Sequence, residues 1–250
     1  MKLLFLGTGT STGVPQIACD CDVCQSDDKK DARLRSSALL TVDGKQLLFD
    51  CGPDFREQAL RHRLSSTDAI LLTHEHYDHV SGLDEVRPMR QADVYAEERV
   101  LDVLKRDMPY IFCANPYPGA PDIRLHEIVD FSKPFWVKGI EVMPVRMIHY
   151  RLPVLGYRIG NMAYLTDFSE IDETECAKLQ GLEVLVVDAL RQQFHHAHLM
   201  LSQALELVAK LKPRRAYFMH ISHDMGLHEE VQKTLPENVF LAYDGLTVEI

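Results

Sequence analysis

Within His74-Glu75-His76-Tyr77-Asp78-His79, three imidazoles and the Asp78 carboxylate crowd into six positions. Burying such groups unpaired costs too much for them to be ordinary core residues. His74 and His76, two apart in an extended chain, face one side and can grip one cation. Asp78 and His79, past the bend that leads to Ser81-Gly82, can turn toward a second. Imidazole with carboxylate suits Zn, Mn or Fe and leaves positions open for water. A solvated, histidine-rich loop is the competing reading, disfavoured because the cluster follows directly on the apolar run 69–73. Six residues cannot complete two coordination spheres, so further ligands must lie downstream. His149, Asp167 and His220 each stand where an apolar run ends. Alone, each would pass for a surface residue at a strand end. Three ligand types in succession at such places form a pattern.

A second cluster is Cys19, Cys21 and Cys24. In a reducing compartment, clustered thiols point to metal before disulfides, with free thiols or a redox pair as the alternatives. One tetrahedral zinc would need a fourth ligand. Cys51, Cys113 and Cys176 are scattered and read as small buried hydrophobes. A third group, His195, His196 and His198, precedes an apolar-periodic stretch. His62, His126 and His228 read as surface residues. The glycines at 7, 9 and 13 lack the Lys-Ser/Thr ending of a phosphate loop, which argues against nucleotide binding of that kind.

The elements that must hold these residues alternate in type. Strands are expected at 2–6, 38–42 and 46–50, the last two joined by Asp43-Gly44 as a two-residue hairpin. A helix at 54–63, a buried strand at 69–73 and a helix at 97–105 follow. The stretch 109–121 holds four prolines and reads as a loop. Strands at 140–148, 157–166 (interrupted at Gly160-Asn161) and 184–187 precede a helix at 202–211, with Ser202 as its expected N-cap. Strands at 216–219, 239–242 and 246–250 complete the chain. Strands then helix, twice over, imply an α/β chain of two mixed sheets with helices outside. No linker or repeat divides residues 1–250, so a single domain is expected.

At 250 residues, 46% apolar and 26% charged, the chain can bury a large core without a staple. Its net charge of −10 and the lack of a dense Lys/Arg run argue against a long nucleic acid and for a small substrate. Arg61-His62-Arg63 and Lys212-Pro213-Arg214-Arg215 read as solvated turns. Only four apolar residues, 3–6, precede Gly7, too few for a signal-peptide core. No run approaches the ~20 apolar residues of a membrane span. A cytoplasmic protein without a membrane partner is expected.

The motif at 74–79, followed by His149, Asp167 and His220, resembles the metallo-β-lactamase superfamily. That resemblance implies an αββα four-layer sandwich. It assigns His74, His76 and His149 to one metal, Asp78, His79 and His220 to the other, and Asp167 to the bridge. It also makes Asp50, in Leu48-Phe49-Asp50-Cys51-Gly52, an orienting residue for a ligand histidine. Gly7-Thr8-Gly9-Thr10-Ser11-Thr12-Gly13-Val14-Pro15, the cysteine triplet, His220-Ile221-Ser222-His223 and Tyr243-Asp244-Gly245 are similar to the PhnP-type phosphodiesterases. This narrower likeness makes His223 the fourth ligand of a structural zinc with Cys19, Cys21 and Cys24. It makes His198 the general acid, with His196 as a substitute, and leaves Asp188 either orienting a ligand or merely solvated. The implied cofactors are two catalytic divalent metals, Zn or Mn, and one structural Zn. The implied reaction is attack of a metal-bridging hydroxide on a small phosphodiester, such as a cyclic ribose phosphate or a 2′,3′-cyclic nucleotide, and the implied assembly is a homodimer. A transfer-RNA 3′-processing nuclease would share the histidine motif but carry a basic arm, and none is visible. Pyrroloquinoline-quinone-pathway oxygenase-like proteins share the cysteine triplet and the stretch 52–58, with a degraded first motif. A non-enzymatic metal scaffold is the remaining class.

Overall fold

The computed structural model describes residues 1–89 and 91–250. Two sheets lie face to face. The first begins with an antiparallel meander, β1 (Lys2–Gly7), β2 (Ser37–Val42) and β3 (Lys45–Phe49). It continues in parallel through β4 (Ala69–Leu71), β5 (Ala92–Ala96) and β6 (Ile123–Glu127). The change of direction follows from the connections: a tight turn at Asp43-Gly44, both at positive φ, suffices for antiparallel strands. Parallel neighbours need crossovers. Helix α1 (Phe55–His62) supplies one, and α2 (Tyr77–Val80) with a 3₁₀ turn (Ser81–Val86) the next. Helices α3 (Glu98–Asp107) and α4 (Pro109–Phe112) then lead to β6.

The second sheet repeats this plan. β7 (Phe135–Val137), β8 (Ile140–His149), β9 (Leu152–Ile159) and β10 (Met162–Leu165) are antiparallel neighbours, with the two-residue β11 (Glu170–Ile171) on the outer side of β8. Then β12 (Val184–Asp188), β13 (Arg215–Met219) and β14 (Val239–Leu241) run parallel to β10. Their crossovers carry α5 (Glu173–Ala177), α6 (Leu201–Leu211) and α7 (His228–Gln232). The last strand, β15 (Thr247–Glu249), returns to pair with β1.

Period-two alternation shows why four layers form. In β3, Leu47 and Phe49 face the second sheet while Leu48 faces the helices; in β12, Val184 and Val186 face inward while Leu185 and Val187 turn to α5 and α6. Strands covered on both faces read as continuous apolar runs. Between the sheets Phe49 stacks on Tyr164 with centroids 4.5 Å apart. Burial of each such side chain contributes roughly 1.5–3 kcal/mol. The arrangement is the αββα sandwich.

Several local expectations are corrected. Helix α6 is capped by Met200, not Ser202: the Met200 N–H donates to Gln203 Oε1 at 3.1 Å, and Ser202 lies inside the helix. The stretch 109–121 contains α4, because Pro109 at a first helical position is favourable. Strands β5, β6 and β7 were not expected from the sequence. Among the described residues no helix is long and apolar enough to cross a membrane.

Candidate metal centre

One rim of the sandwich collects the ends of β3, β4, β8, β10, β12 and β13, and open α/β sheets bind ligands at such carboxyl ends. Asp50 follows β3, His74 lies three residues past β4, His149 ends β8, Asp167 follows β10, Asp188 ends β12 and His220 follows β13. Asp50, Asp167 and His220 take the left-handed backbone region with φ of 57°, 55° and 58°. Such conformations cost energy and concentrate at functional sites.

Asp50 is fully buried and does most of the orienting. Its Oδ1 accepts the Thr73 N–H at 2.8 Å, and its Oδ2 lies 2.8 Å from His79 Nδ1. The Thr73 hydroxyl, 3.0 Å from Asp50 Oδ2, gives its one proton to that carboxylate and so accepts from His74 Nδ1–H at 2.9 Å. Both imidazoles therefore turn their Nε2 atoms away from Asp50, toward the centre of the rim. Gly52 allows the loop to close: a Cβ there would stand 1.9 Å from the Asp78 carbonyl oxygen.

Asp167 sits between two groups. Its Oδ2 is 3.2 Å from His74 Nε2 and 3.1 Å from His79 Nε2, and its Oδ1 is 2.6 Å from His220 Nε2. Ligand atoms of Asp78, His79, Asp167 and His220 all lie within 4.8 Å of one another, and so do those of His74, His76 and Asp167. His149 stands beside the second group, its ring centroid 5.1 Å from that of His76, outside the tightest set. Its Nδ1 donates to the Ala197 carbonyl at 2.8 Å, which leaves Nε2 unprotonated and free to bind.

The donor set fits divalent cations. His74 Nε2, His79 Nε2, Asp167 Oδ1 and His220 Nε2 are buried, crowd within 2.6–3.2 Å contacts centred on the Asp167 carboxylate, and make no hydrogen bond of good geometry. Buried polar atoms are ordinarily satisfied, so four convergent orphans mark a place for a ligand. Electrostatics agree. Burial pushes His74 down to about 3, so it stays a neutral imidazole, able to bind a cation, at any ordinary pH. Burial opposes protonation of His220 as well, but the Asp167 carboxylate outweighs it and raises His220 to about 10. Against the upward push of burial, His79 and His220 hold Asp78 below the usual carboxylate range. Without cations, protons on histidine balance the buried carboxylates; cations would take over that role.

His198 and Asp188 form a second buried pair. His198 Nδ1 lies 3.1 Å from Asp188 Oδ2 and 3.5 Å from Asp167 Oδ1, and its ring is 4.6 Å from that of His149. Asp188 Oδ1 also faces His220 Nδ1 at 3.7 Å, so one carboxylate serves both rings. His196 is exposed and lines the mouth of a cleft of about 600 Å³ with His76, His149, Tyr150, Arg151, Leu152 and Ala197.

At one side of the rim, Cys19, Cys21, Cys24 and His223 bring their ligand atoms within 4.8 Å of one another. His223 Nδ1 is 3.2 Å from Cys19 Sγ and 3.3 Å from Cys21 Sγ. The Cys24 N–H and His223 draw Cys21 down to about 6, toward the thiolate that binds zinc. Three thiolates and one imidazole suit a closed tetrahedral shell. The loop is stitched to the His220 segment by the Thr10 N–H donating to Ile221 O and the Ile221 N–H to Thr8 O.

Other residues are placed differently from expectation. His228 is buried, not at the surface, with Nδ1 3.1 Å from the Arg33 guanidinium. Arg33, itself buried, donates to Thr8 Oγ1 at 2.8 Å, and Asp244 accepts from Thr8 and Leu34. Cys113 is exposed, while Cys51 and Cys176 are buried. His126 pairs with Asp93 and stacks on Tyr95. Thr73 and Ala197, both absent from the sequence-based site, orient the candidate ligands His74 and His149. Thr73 adjoins the histidine motif, a usable signal; a backbone carbonyl acceptor leaves none.

The family model described as the beta-lactamase superfamily domain matches residues 45–221. The crystal structure of a diphosphatase from the PhnP family superposes with a TM-score of 0.92 at 42% identity, covering 99% of this chain and 96% of that one. A Porphyromonas gingivalis protein named octanoyltransferase is 44% identical over 98% of this chain, which spans only 51% of that relative's length. Coenzyme PQQ synthesis protein B of Methylococcus capsulatus is 27% identical over 99% of both chains.

Proposed function

The chain belongs to the beta-lactamase superfamily, in its PhnP branch, and from that premise we propose that it is a metal-dependent phosphoric diester hydrolase acting on small, including cyclic, phosphodiesters. The observation that carries this reading is the convergence of three buried imidazole nitrogens, His74 Nε2, His79 Nε2 and His220 Nε2, on Asp167, beside a cleft lined by His76, His149 and Arg151. His74, His76 and His149 would hold one divalent cation, Zn or Mn, and Asp78, His79 and His220 the other, with Asp167 shared. Cations there supply Lewis acidity and lower the pKa of water toward ~7.

The protein's own groups account for the rest. Asp50 and Asp188 fix imidazole orientation. His198, its Nδ1 held by Asp188, keeps Nε2 available to hand a proton to the departing alkoxide, which leaves poorly unprotonated. His196 at the cleft mouth is the alternative donor. Arg151 gives the cleft a cation that favours an anionic ester on a chain of net charge −10. Cys19, Cys21, Cys24 and His223 would hold a structural zinc. A cytoplasmic homodimer remains part of the proposal.

The octanoyltransferase name attaches to a protein about twice as long, and we assign that activity to the half outside the match. An RNA-processing role is disfavoured by the acidic net charge and the lack of a basic arm. A pyrroloquinoline-quinone-type oxygenase role is disfavoured by the intact histidine motif. The test is hydrolysis of bis-p-nitrophenyl phosphate by protein loaded with Mn or Zn. Turnover that His76→Ala abolishes while the protein stays folded supports the reading; no turnover with either metal overturns it.

A further inference from the structure

The β8–β9 hairpin pairs His149 with Leu152 and closes through only Tyr150 and Arg151. Two-residue turns that match strand twist put their first residue at positive φ, where glycine, asparagine or aspartate is favoured. Here Tyr150 occupies that position at φ 58°. A bulky aromatic in the left-handed region is an outlier that points to function. Burial does not account for it, because Tyr150 is 56% exposed. The turn is pinned by the Tyr150 N–H donating to Ser169 Oγ at 3.2 Å.

Both turn residues line the cleft, immediately after His149 in the chain and alongside His196. The Arg151 guanidinium carbon lies 5.1 Å from the Tyr150 ring centroid. Phe194, also more than half exposed, meets His196 edge-on with centroids 4.9 Å apart. Tyr150 and Arg151 thus make one wall of the cleft aromatic and cationic, next to His76 and His149 of the candidate metal centre, with Phe194 beyond the lining. Nucleobases stack on tyrosine rings and on guanidinium planes alike. A bare sugar phosphate can use the Arg151 charge but has no planar group to set against the Tyr150 ring.

We propose that Tyr150 and Arg151 form a subsite for a planar aromatic group carried on the substrate beside its phosphoester, so that the preferred substrate is a nucleotide rather than a base-free sugar phosphate. This rests on the phosphodiesterase reading above. Tyr150 stacks on the base, and Arg151 supplies a second planar face with positive charge.

The test compares 2′,3′-cyclic AMP with methyl riboside 2′,3′-cyclic phosphate, which differ only in the base. Metal-loaded wild type should prefer the nucleotide in kcat/KM, and Tyr150→Asn should lower that preference about tenfold, the scale of one base–aromatic stack. Asparagine suits the turn, so the variant should melt no lower than wild type, and Tyr150→Phe should keep the preference. An unchanged ratio in Tyr150→Asn, or its loss in Tyr150→Phe, overturns the subsite. If wild type hydrolyses neither ester, bis-p-nitrophenyl phosphate turnover shows separately whether the hydrolase reading stands. Calorimetric binding of AMP against ribose 5-phosphate then decides the subsite: an affinity ratio about tenfold lower in Tyr150→Asn upholds it, and an equal ratio overturns it.

Discussion

Asp50 Oδ2 lies 2.8 Å from His79 Nδ1, and the same carboxylate reaches His74 through the Thr73 hydroxyl. One buried acid at the end of β3 thus orients an imidazole in each ligand group. Asp188 at the end of β12 does the corresponding work in the second sheet, facing His198 and His220.

Asp50→Asn keeps the shape but cannot hold both protons as the carboxylate does. Outer partners of ligand histidines are worth about 10–100-fold in metal affinity. Competition against a chromogenic chelator should show a loss of that size, with His74 and His79 still present. Unchanged affinity would remove Asp50 from the orienting role.

His198→Ala should cost about 10²–10⁴-fold on alkyl esters, whose leaving groups need a proton, and much less on p-nitrophenyl esters, whose do not. Measuring kcat for both classes separates acid catalysis from a loss of packing. Equal losses on the two would transfer the proton to another group, with His196 next in line.

Cys21→Ser should release the structural zinc and lower the melting temperature while leaving residual hydrolysis, because the cysteine cluster ties the N-terminal loop to the segment after His220. Elemental analysis and a thermal melt on the same sample check this. Retained zinc with an unchanged melt would leave the cluster without a metal.

Arg33, His228 and Asp244 give a signed pH effect. Burial and the Arg33 charge hold His228 down at about 4 against an ordinary 6.5, so between these values the unfolded chain binds a proton that the folded chain refuses. That contribution makes stability fall as pH drops from 6.5 to 4. Burial raises Asp244 to about 6 from 3.8, so its folded form takes up a proton first and stability rises as pH drops through that window. The two oppose each other. In metal-stripped protein, His228→Asn should remove the first and leave stability rising, relative to wild type, as pH falls from 6 to 4; parallel curves would refute the pairing.

Much of this was legible in the sequence because it depends on residue type and short spacing. The motif at 74–79 names its own chemistry, and a run such as 184–187 can only be a strand buried on both faces. β5 and β6 escaped notice because Asp93 in one, and Arg124 and His126 in the other, which is the edge strand, break the apolar pattern. The Arg33–His228 contact spans 195 positions and has no local signature. The Tyr150 turn was equally hidden, since nothing in Tyr-Arg announces a left-handed hairpin. Ser202 misled because a good capping residue two positions past the true cap looks the same in sequence as one in place.

The most direct test of the central claim is metal content per chain in wild type and Asp167→Ala, read with bis-p-nitrophenyl phosphate turnover on the same preparations. Asp167 is shared by both ligand groups, so wild type should carry about three ions, one tightly held zinc and two exchangeable, with turnover. Asp167→Ala should keep the tight zinc, lose exchangeable metal and lose turnover while remaining folded. An Asp167→Ala protein with two exchangeable ions and wild-type turnover would contradict the shared two-metal centre.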